Sequence, residues 1–261
     1  MVVCQYLIGF PVIRLTLIGL PVYKYPKEKM SFKNLLIAVT ISQAIAYAGN
    51  IIGLLINSII SSVLGKEIDN SVSEIIKNSN ILIVFAVVAI IGPIVEELIF
   101  RKFIIDRIRP YGELLAVIFS AVTFGMFHGN FYQLFYAFGF GFILGYIYLR
   151  SKNIIYPIIL HCVFNSISVI AQALENGKNN ESFSEAIRYL FGGISTLYTL
   201  GILAVAILGI IFFIRSFKKF YFYKNAFGLN TSKAFLYSCV NVGMILFSIT
   251  VLVEFSLSIF L

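Results

Sequence analysis

The sequence predicts an all-α fold, a polytopic membrane bundle of about eight transmembrane helices. Three observations carry that reading. Of the 261 residues, 59% are hydrophobic and 12% charged, where an ordinary soluble domain carries about 25% charged residues. Mean hydropathy is +0.94, which excludes a soluble globular enzyme. The apolar residues also fall into long runs, with almost all charges between them, and runs of about 18 or more uncharged residues read as membrane-spanning helices.

Segmenting at the charges gives spans near residues 1–22, 35–64, 80–99, 114–128, 131–149, 154–174, 194–214 and 235–261, each roughly of helix length. The first is imperfect. Arg14 interrupts it and no basic stretch precedes it, so it reads as a span rather than a cleaved signal peptide. The connections alternate in charge. Segment 23–34 carries +3 and 65–79 carries −1; segment 100–113 carries +2, the next turn none, and Arg150 with Lys152 +2; segment 175–190 carries −1 and 215–233 carries +5. The positive-inside rule requires such alternation when every span is real, and it puts the basic loops in the cytoplasm and both termini outside, in a multi-pass protein of the cell membrane.

The excess of 20 Lys and Arg over 12 Asp and Glu is then an orientation signal beside lipid headgroups, not a nucleic-acid surface. Without a repeat, low-complexity stretch or linker, residues 1–261 read as a single integral-membrane domain. Trp is absent, and the 15 Tyr serve as interfacial anchors. Cys4, Cys162 and Cys239 lie far apart within apolar segments, without disulfide or metal spacing, and read as core residues.

Six ionisable groups remain inside the spans: Arg14, Glu96, Glu97, His128, His161 and Glu254. Such groups are costly in hydrocarbon unless paired or hydrated, which makes function their default reading. Glu97 and Arg101 are i, i+4 on a helix predicted from about 80 to 107, so they can pair. Glu96, about 100° around that helix, then faces something else. His161 and Asn165 share the same spacing, as do Phe124 and His128, and three helices presenting such pairs imply a shared cavity. Measured from cytoplasmic ends near 107, 113 and 153, Glu96, His128 and His161 lie roughly 16, 22 and 12 Å deep at about 1.5 Å per residue. Tilt, or a kink at Gly92-Pro93, would absorb the mismatch. Interhelical hydrogen-bond glue is the other reading of these residues. Arg14 and Glu254 suggest no more than an interhelical pair, and Gly141 with Gly145 a close helix contact.

Glu96-Glu97-Leu98-Ile99-Phe100-Arg101 reads as EExxxR, Phe124 to His128 as FxxxH, and His161 to Asn165 as HxxxN. In this order and at these separations they resemble the three motifs of the CAAX protease and bacteriocin-processing family, also called the Abi family. The resemblance covers about residues 92–172, including the stretch from Phe138 to Gly145 and Tyr148-Leu149-Arg150. Lys102, where many members have Gly, departs from the pattern beyond the motif itself. The resemblance implies a membrane-embedded endopeptidase that acts on a hydrophobic or lipid-anchored peptide or protein, by CAAX-type cleavage or precursor processing. It implies a general-base role for Glu96, a water-orienting role for His128, and oxyanion donation by His161 and Asn165. Glu97, Arg101 and Phe124 then support the site, with no cofactor and no metal.

Other chemistries stay in view. A Cys162–His161 nucleophile is disfavoured because successive helical residues point about 100° apart. Two histidines and two carboxylates are plausible zinc ligands, although the chain has no HExxH and Glu97 is drawn to Arg101. The alternative function is a non-catalytic immunity or scaffold protein of the same fold. A transporter with a proton relay would be supported by inverted repeats, and the sequence shows none.

Overall fold

The computed structural model describes residues 9–16, 26–68, 79–224 and 230–260. Among these residues the chain is mostly helical and has no strand. The helices are α1 Phe10–Thr16, α2 Phe32–Leu64, α3 Ile81–Tyr111, α4 Glu113–Phe127, α5 Phe131–Ser151, α6 Ile155–Lys178, α7 Glu185–Ser216, α8 Thr231–Cys239 and α9 Val242–Phe260. Six of them, α2, α3, α5, α6, α7 and α9, are long and apolar enough to cross a membrane. The protein is a multi-pass α-helical membrane protein.

The expected eight spans are therefore approximate. α4 has 15 residues and rises about 22 Å, short of the roughly 30 Å hydrocarbon core. The last span begins at Val242 rather than near 235, because Val240 leaves helical geometry (φ −111, ψ 87) and separates α8 from α9. Of the first expected span only residues 9–16 are described; Cys4, the side chain of Cys239 and most of loop 65–79 lie outside the described residues.

Local chemistry sets the helix ends that matter here. Ser31 caps α2 by accepting from Asn34 N at 3.2 Å, and Gly65 in the left-handed region ends it. Asn130 caps α5 by accepting from Gln133 N at 3.0 Å. α3 is one rod of changing pitch, with π-helical turns at Phe85–Ile91 and Leu98–Ile105 around an α-helical Gly92–Glu97. In the first widened stretch Gly92 N–H bonds Val87 O, five residues back. The next donor in that register, facing Val88 O, is the nitrogen of Pro93, which carries no hydrogen. The kink expected at Gly92-Pro93 falls where the first wide-turn stretch passes into the α-helical one.

α5 is the centre of the bundle. Its Phe140 and Leu144 are buried with Phe100 of α3, Phe124 of α4 and Leu160 of α6. Gly141 makes this possible: a Cβ there would stand 2.9 Å from Phe124 Cδ1 and 3.6 Å from Arg101 Nη2. The close-contact reading of Gly141 and Gly145 agrees with this packing.

One end of the bundle gathers several connections. Glu28 N bonds Ser151 O at 2.7 Å, Lys152 pairs with Glu28 at 3.0 Å, and Glu113 N bonds Tyr223 O at 3.2 Å. The opposite end holds Ile68, which accepts from Tyr132 Oη at 2.7 Å, and Lys66, which lies 5.9 Å from the Phe260 ring centroid. Several charges at the first end are also paired within the protein. Buried Glu113 pairs with Arg109 at 2.5 Å and with Arg150, and accepts from Tyr223 N at 3.1 Å. Buried Asp106 takes Lys102 at 2.5 Å and Tyr148 Oη at 2.8 Å. Glu113 thus ties Arg109 of α3 to Arg150 of α5, and Asp106 ties Lys102 of its own helix to Tyr148 of α5, so part of the positive charge at this end is structural.

Candidate active site

α3, α4 and α6 bring their motif residues together against α5, with Glu97 at the centre. Its Oε2 lies 2.9 Å from Arg101 Nε, a close ion pair whose angle falls outside hydrogen-bond geometry. Its Oε1 accepts from Arg101 Nη2 at 3.3 Å and lies 2.9 Å from His161 Nδ1. Both members of the i, i+4 pair are fully buried. Arg101 continues outward from Glu97: Nη1 donates to Ser120 Oγ at 2.8 Å, and Ser120 in turn donates to Phe100 O at 2.8 Å. The guanidinium also lies 4.8 Å from the centroid of the Phe124 ring.

An ionised carboxylate only accepts, so the Glu97 contact places a proton on His161 Nδ1 and turns Nε2 the other way. Nε2 lies 3.7 Å from Glu96 Oε2. Glu96 is 8% exposed and sits at the rim of the buried cluster. His128 follows directly after α4, with Nδ1 2.8 Å from Phe124 O. A carbonyl cannot donate, so Nδ1 carries the proton and Nε2 of the neutral ring is an acceptor. His128 is near enough to Glu96 and His161 to interact electrostatically with both.

Aromatic rings fix the imidazoles. Phe124 meets His128 edge-on at 5.0 Å and His161 at 5.7 Å, and Phe140 meets His161 edge-on at 5.3 Å. Asn165 Nδ2 donates to Val88 O at 2.8 Å, supplying the hydrogen bond that Pro93 cannot. The amide keeps a second N–H for another acceptor.

The structure therefore gathers Glu96, Glu97, Arg101, Phe124, His128 and His161 around one centre, with Asn165 one turn beyond His161 on α6 and bonded to Val88 O. Three contributors escaped the sequence reading: Ser120, Phe140 and the Val88 carbonyl. Ser120 had a signal, since it precedes Phe124 and His128 at i, i+4 spacing on one face of α4. Arg14 and Glu254 do not form the suggested pair: Arg14 is exposed on α1, and Glu254 packs on Gly129, a left-handed residue with φ 65 next to His128. Cys162 is a free, half-buried thiol. Among the described residues, no group of three or more His, Cys, Asp and Glu is arranged to hold a metal ion.

Comparison with known proteins finds similarity over the segment that carries the site. Residues 78–167 match the family model described as type II CAAX prenyl endopeptidase Rce1-like. The chain is 31% identical over 159 residues to the putative membrane peptidase YdiL of Bacillus subtilis, covering 57% of this chain and 64% of that protein. It is 34% identical over 94 residues to the membrane-embedded CAAX protease MroQ of Staphylococcus aureus, covering 33% of this chain and 38% of that protein. The chain thus spans less than two thirds of the length of these curated relatives, and no solved structure gives a significant match. The matched segment contains all of the motif residues gathered here, and it is this segment that is similar to the Rce1-like CAAX membrane endopeptidases.

Proposed function

We propose that the protein is an intramembrane endopeptidase that hydrolyses a hydrophobic or lipid-anchored peptide with a glutamate-activated water. The observation that carries this reading is the approach of Glu96 Oε2 to His161 Nε2 at 3.7 Å, beside a buried Glu97–Arg101 pair that holds His161 by its other nitrogen.

Peptide hydrolysis needs a base for water, a place for the water to sit and donors for the oxyanion. Glu96 takes the proton from water, and His128 Nε2 accepts the water's second hydrogen, which aims the oxygen at the scissile carbonyl. The acting form of His161 is the imidazolium, which keeps both of its protons throughout the step, one held by Glu97 and one donated as a hydrogen bond from Nε2 to the oxyanion. The second N–H of Asn165 is the other donor. The proton held by Glu96 then passes to the leaving amine, so base and acid are the same group. In this reading, residues 1–261 form one domain whose basic loops face the cytoplasm.

The test is cleavage of a membrane-bound peptide precursor in liposomes by wild type, Glu96→Gln and His161→Ala, with and without a zinc chelator. Glu96→Gln should lower kcat by about 100-fold or more, and His161→Ala by about 100- to 1000-fold, both indifferent to chelation. Undiminished cleavage by Glu96→Gln would sink the proposal, and chelator sensitivity would bring a metal back.

A further inference from the structure

α2 and α6 enclose a second polar feature. Gln43, Tyr47 and Asn50 of α2 recur at helical spacing, as do Phe164 and Ser168 of α6, and with Tyr136 of α5 they line a cleft of about 240 Å³. The cleft adjoins the site. Tyr136 packs on Phe164 at 6.2 Å, Phe164 stacks on Phe140 at 4.3 Å, and Phe140 is the ring set against His161.

Two polar groups in the cleft await partners. Gln43 is 4% exposed, and its amide makes no hydrogen bond among the described residues. Tyr136 Oη accepts from Gln133 Nε2 at 2.8 Å. Gln133 Oε1 accepts from Asn130 Nδ2 at 2.9 Å, and the same Asn130 nitrogen donates to His128 O at 2.7 Å. This chain turns the tyrosine's own proton away from Gln133, and no described residue accepts it.

The Gln43 amide opens onto the cleft, where a hydrogen-bonding occupant would be favourable. An extended peptide in hydrocarbon lacks a partner at every N–H and C=O. A glutamine side chain offers a donor and an acceptor, the two groups that a backbone peptide unit presents, and a phenol O–H suits a carbonyl. A hydrocarbon tail would satisfy neither. We propose that this cleft binds the backbone of an extended segment of the peptide substrate, with Gln43 and Tyr136 as positioning residues that hold it beside Glu96 and His161. The inference rests on the endopeptidase reading and adds a mode of recognition to it: main-chain groups are read, and side chains are tolerated.

The experiment uses Glu96→Gln protein in phosphatidylcholine nanodiscs and a short fluorescein-labelled Leu/Ala peptide, with binding followed by anisotropy. Adding Gln43→Leu or Tyr136→Phe should each weaken binding about tenfold, the scale of one lost hydrogen bond. A matched peptide with alternate amides replaced by esters should bind more weakly than the amide peptide to the intact cleft, yet equally to the Gln43→Leu protein. Thermal melts of each variant verify folding, and Tyr136→Phe, which removes one oxygen, is the control against collapse of the cleft. Equal affinities across the folded variants would overturn the proposal, as would displacement of the peptide by farnesylcysteine methyl ester in a manner indifferent to Gln43, which would make the cleft a lipid site. Cleavage retained by Glu96→Gln would instead overturn the endopeptidase reading and leave the binding comparison standing.

Discussion

At the scale of single residues, Glu97 has the most to lose. It neutralises a fully buried Arg101 and holds the Nδ1 proton of His161, so its removal leaves a charge without compensation and an imidazole without a fixed orientation. Breaking one side of a buried pair costs about 3–5 kcal/mol. Glu97→Gln should therefore lower the melting temperature in detergent sharply, whereas Glu97→Leu combined with Arg101→Met should lose less than the two single changes added together. Additive losses would show that the pair does not act as a unit. A second test separates the two bonds assigned to Asn165. Asn165→Leu orphans Val88 O and should destabilise α3, while adding Pro93→Ala supplies a backbone N–H and should recover most of the melting temperature. Cleavage should stay lost in the double variant, because the oxyanion still lacks its donor. Recovery of cleavage would assign Asn165 to structure alone. Spacing made much of this legible: the Glu97–Arg101 pair and the faces of Phe124–His128 and His161–Asn165 follow from i, i+4 geometry. It could not show that Glu97 reaches His161 across 64 positions, or that Asn165 serves a carbonyl freed by irregular turns, because both depend on how α3 packs against α6.

At the scale of helices, α5 sets the shape of the site through what it lacks. The missing side chain of Gly141 is filled by Phe124, which touches both imidazoles and Arg101. Gly141→Ala puts a methyl group 2.9 Å from Phe124 Cδ1. Overpacking of this kind costs about 1–3 kcal/mol and here also displaces the ring that sets both histidines. Melting temperature and kcat should fall together, and Gly193→Ala, where nothing lies within 4 Å of the added Cβ, should be neutral or slightly stabilising. Equal behaviour of the two variants would deny the tight contact its role. The shortness of α4 has its own consequence. At about 22 Å it ends inside the hydrocarbon thickness, so the turn 128–130 needs internal hydrogen bonds, and Asn130 provides them to His128 O, Gln133 Oε1 and Gln133 N. A charge-free stretch of sequence announces α4 as a helix, but its failure to reach the far surface follows only from where it starts and stops.

Across the whole molecule, the alternation of loop charge and the geometry of the two ends agree. Residues 28, 109–113, 150–152 and 223 meet at one end, and residues 66–68, 132 and 260 lie at the other. The helical bundle was legible because hydrocarbon imposes long charge-free runs. The internal pairing of Glu113 and Asp106 was not, because a buried acid and a solvated one look alike in a charge sum. The orientation proposed from the positive-inside rule, with the basic end in the cytoplasm, is tested by impermeant maleimide labelling of intact cells. In a background with Cys4, Cys162 and Cys239 replaced by Ala, a cysteine at the exposed Lys219 beyond α7 should stay unlabelled until the membrane is permeabilised. A cysteine at Glu181, exposed between α6 and α7, should label at once. The two positions lie at opposite ends of α7, which spans 32 residues or about 48 Å, enough to separate the two faces of a bilayer. Reversed labelling would invert the protein and put the Glu113 cluster outside, whereas labelling of both sites in intact cells would mean that α7 does not cross.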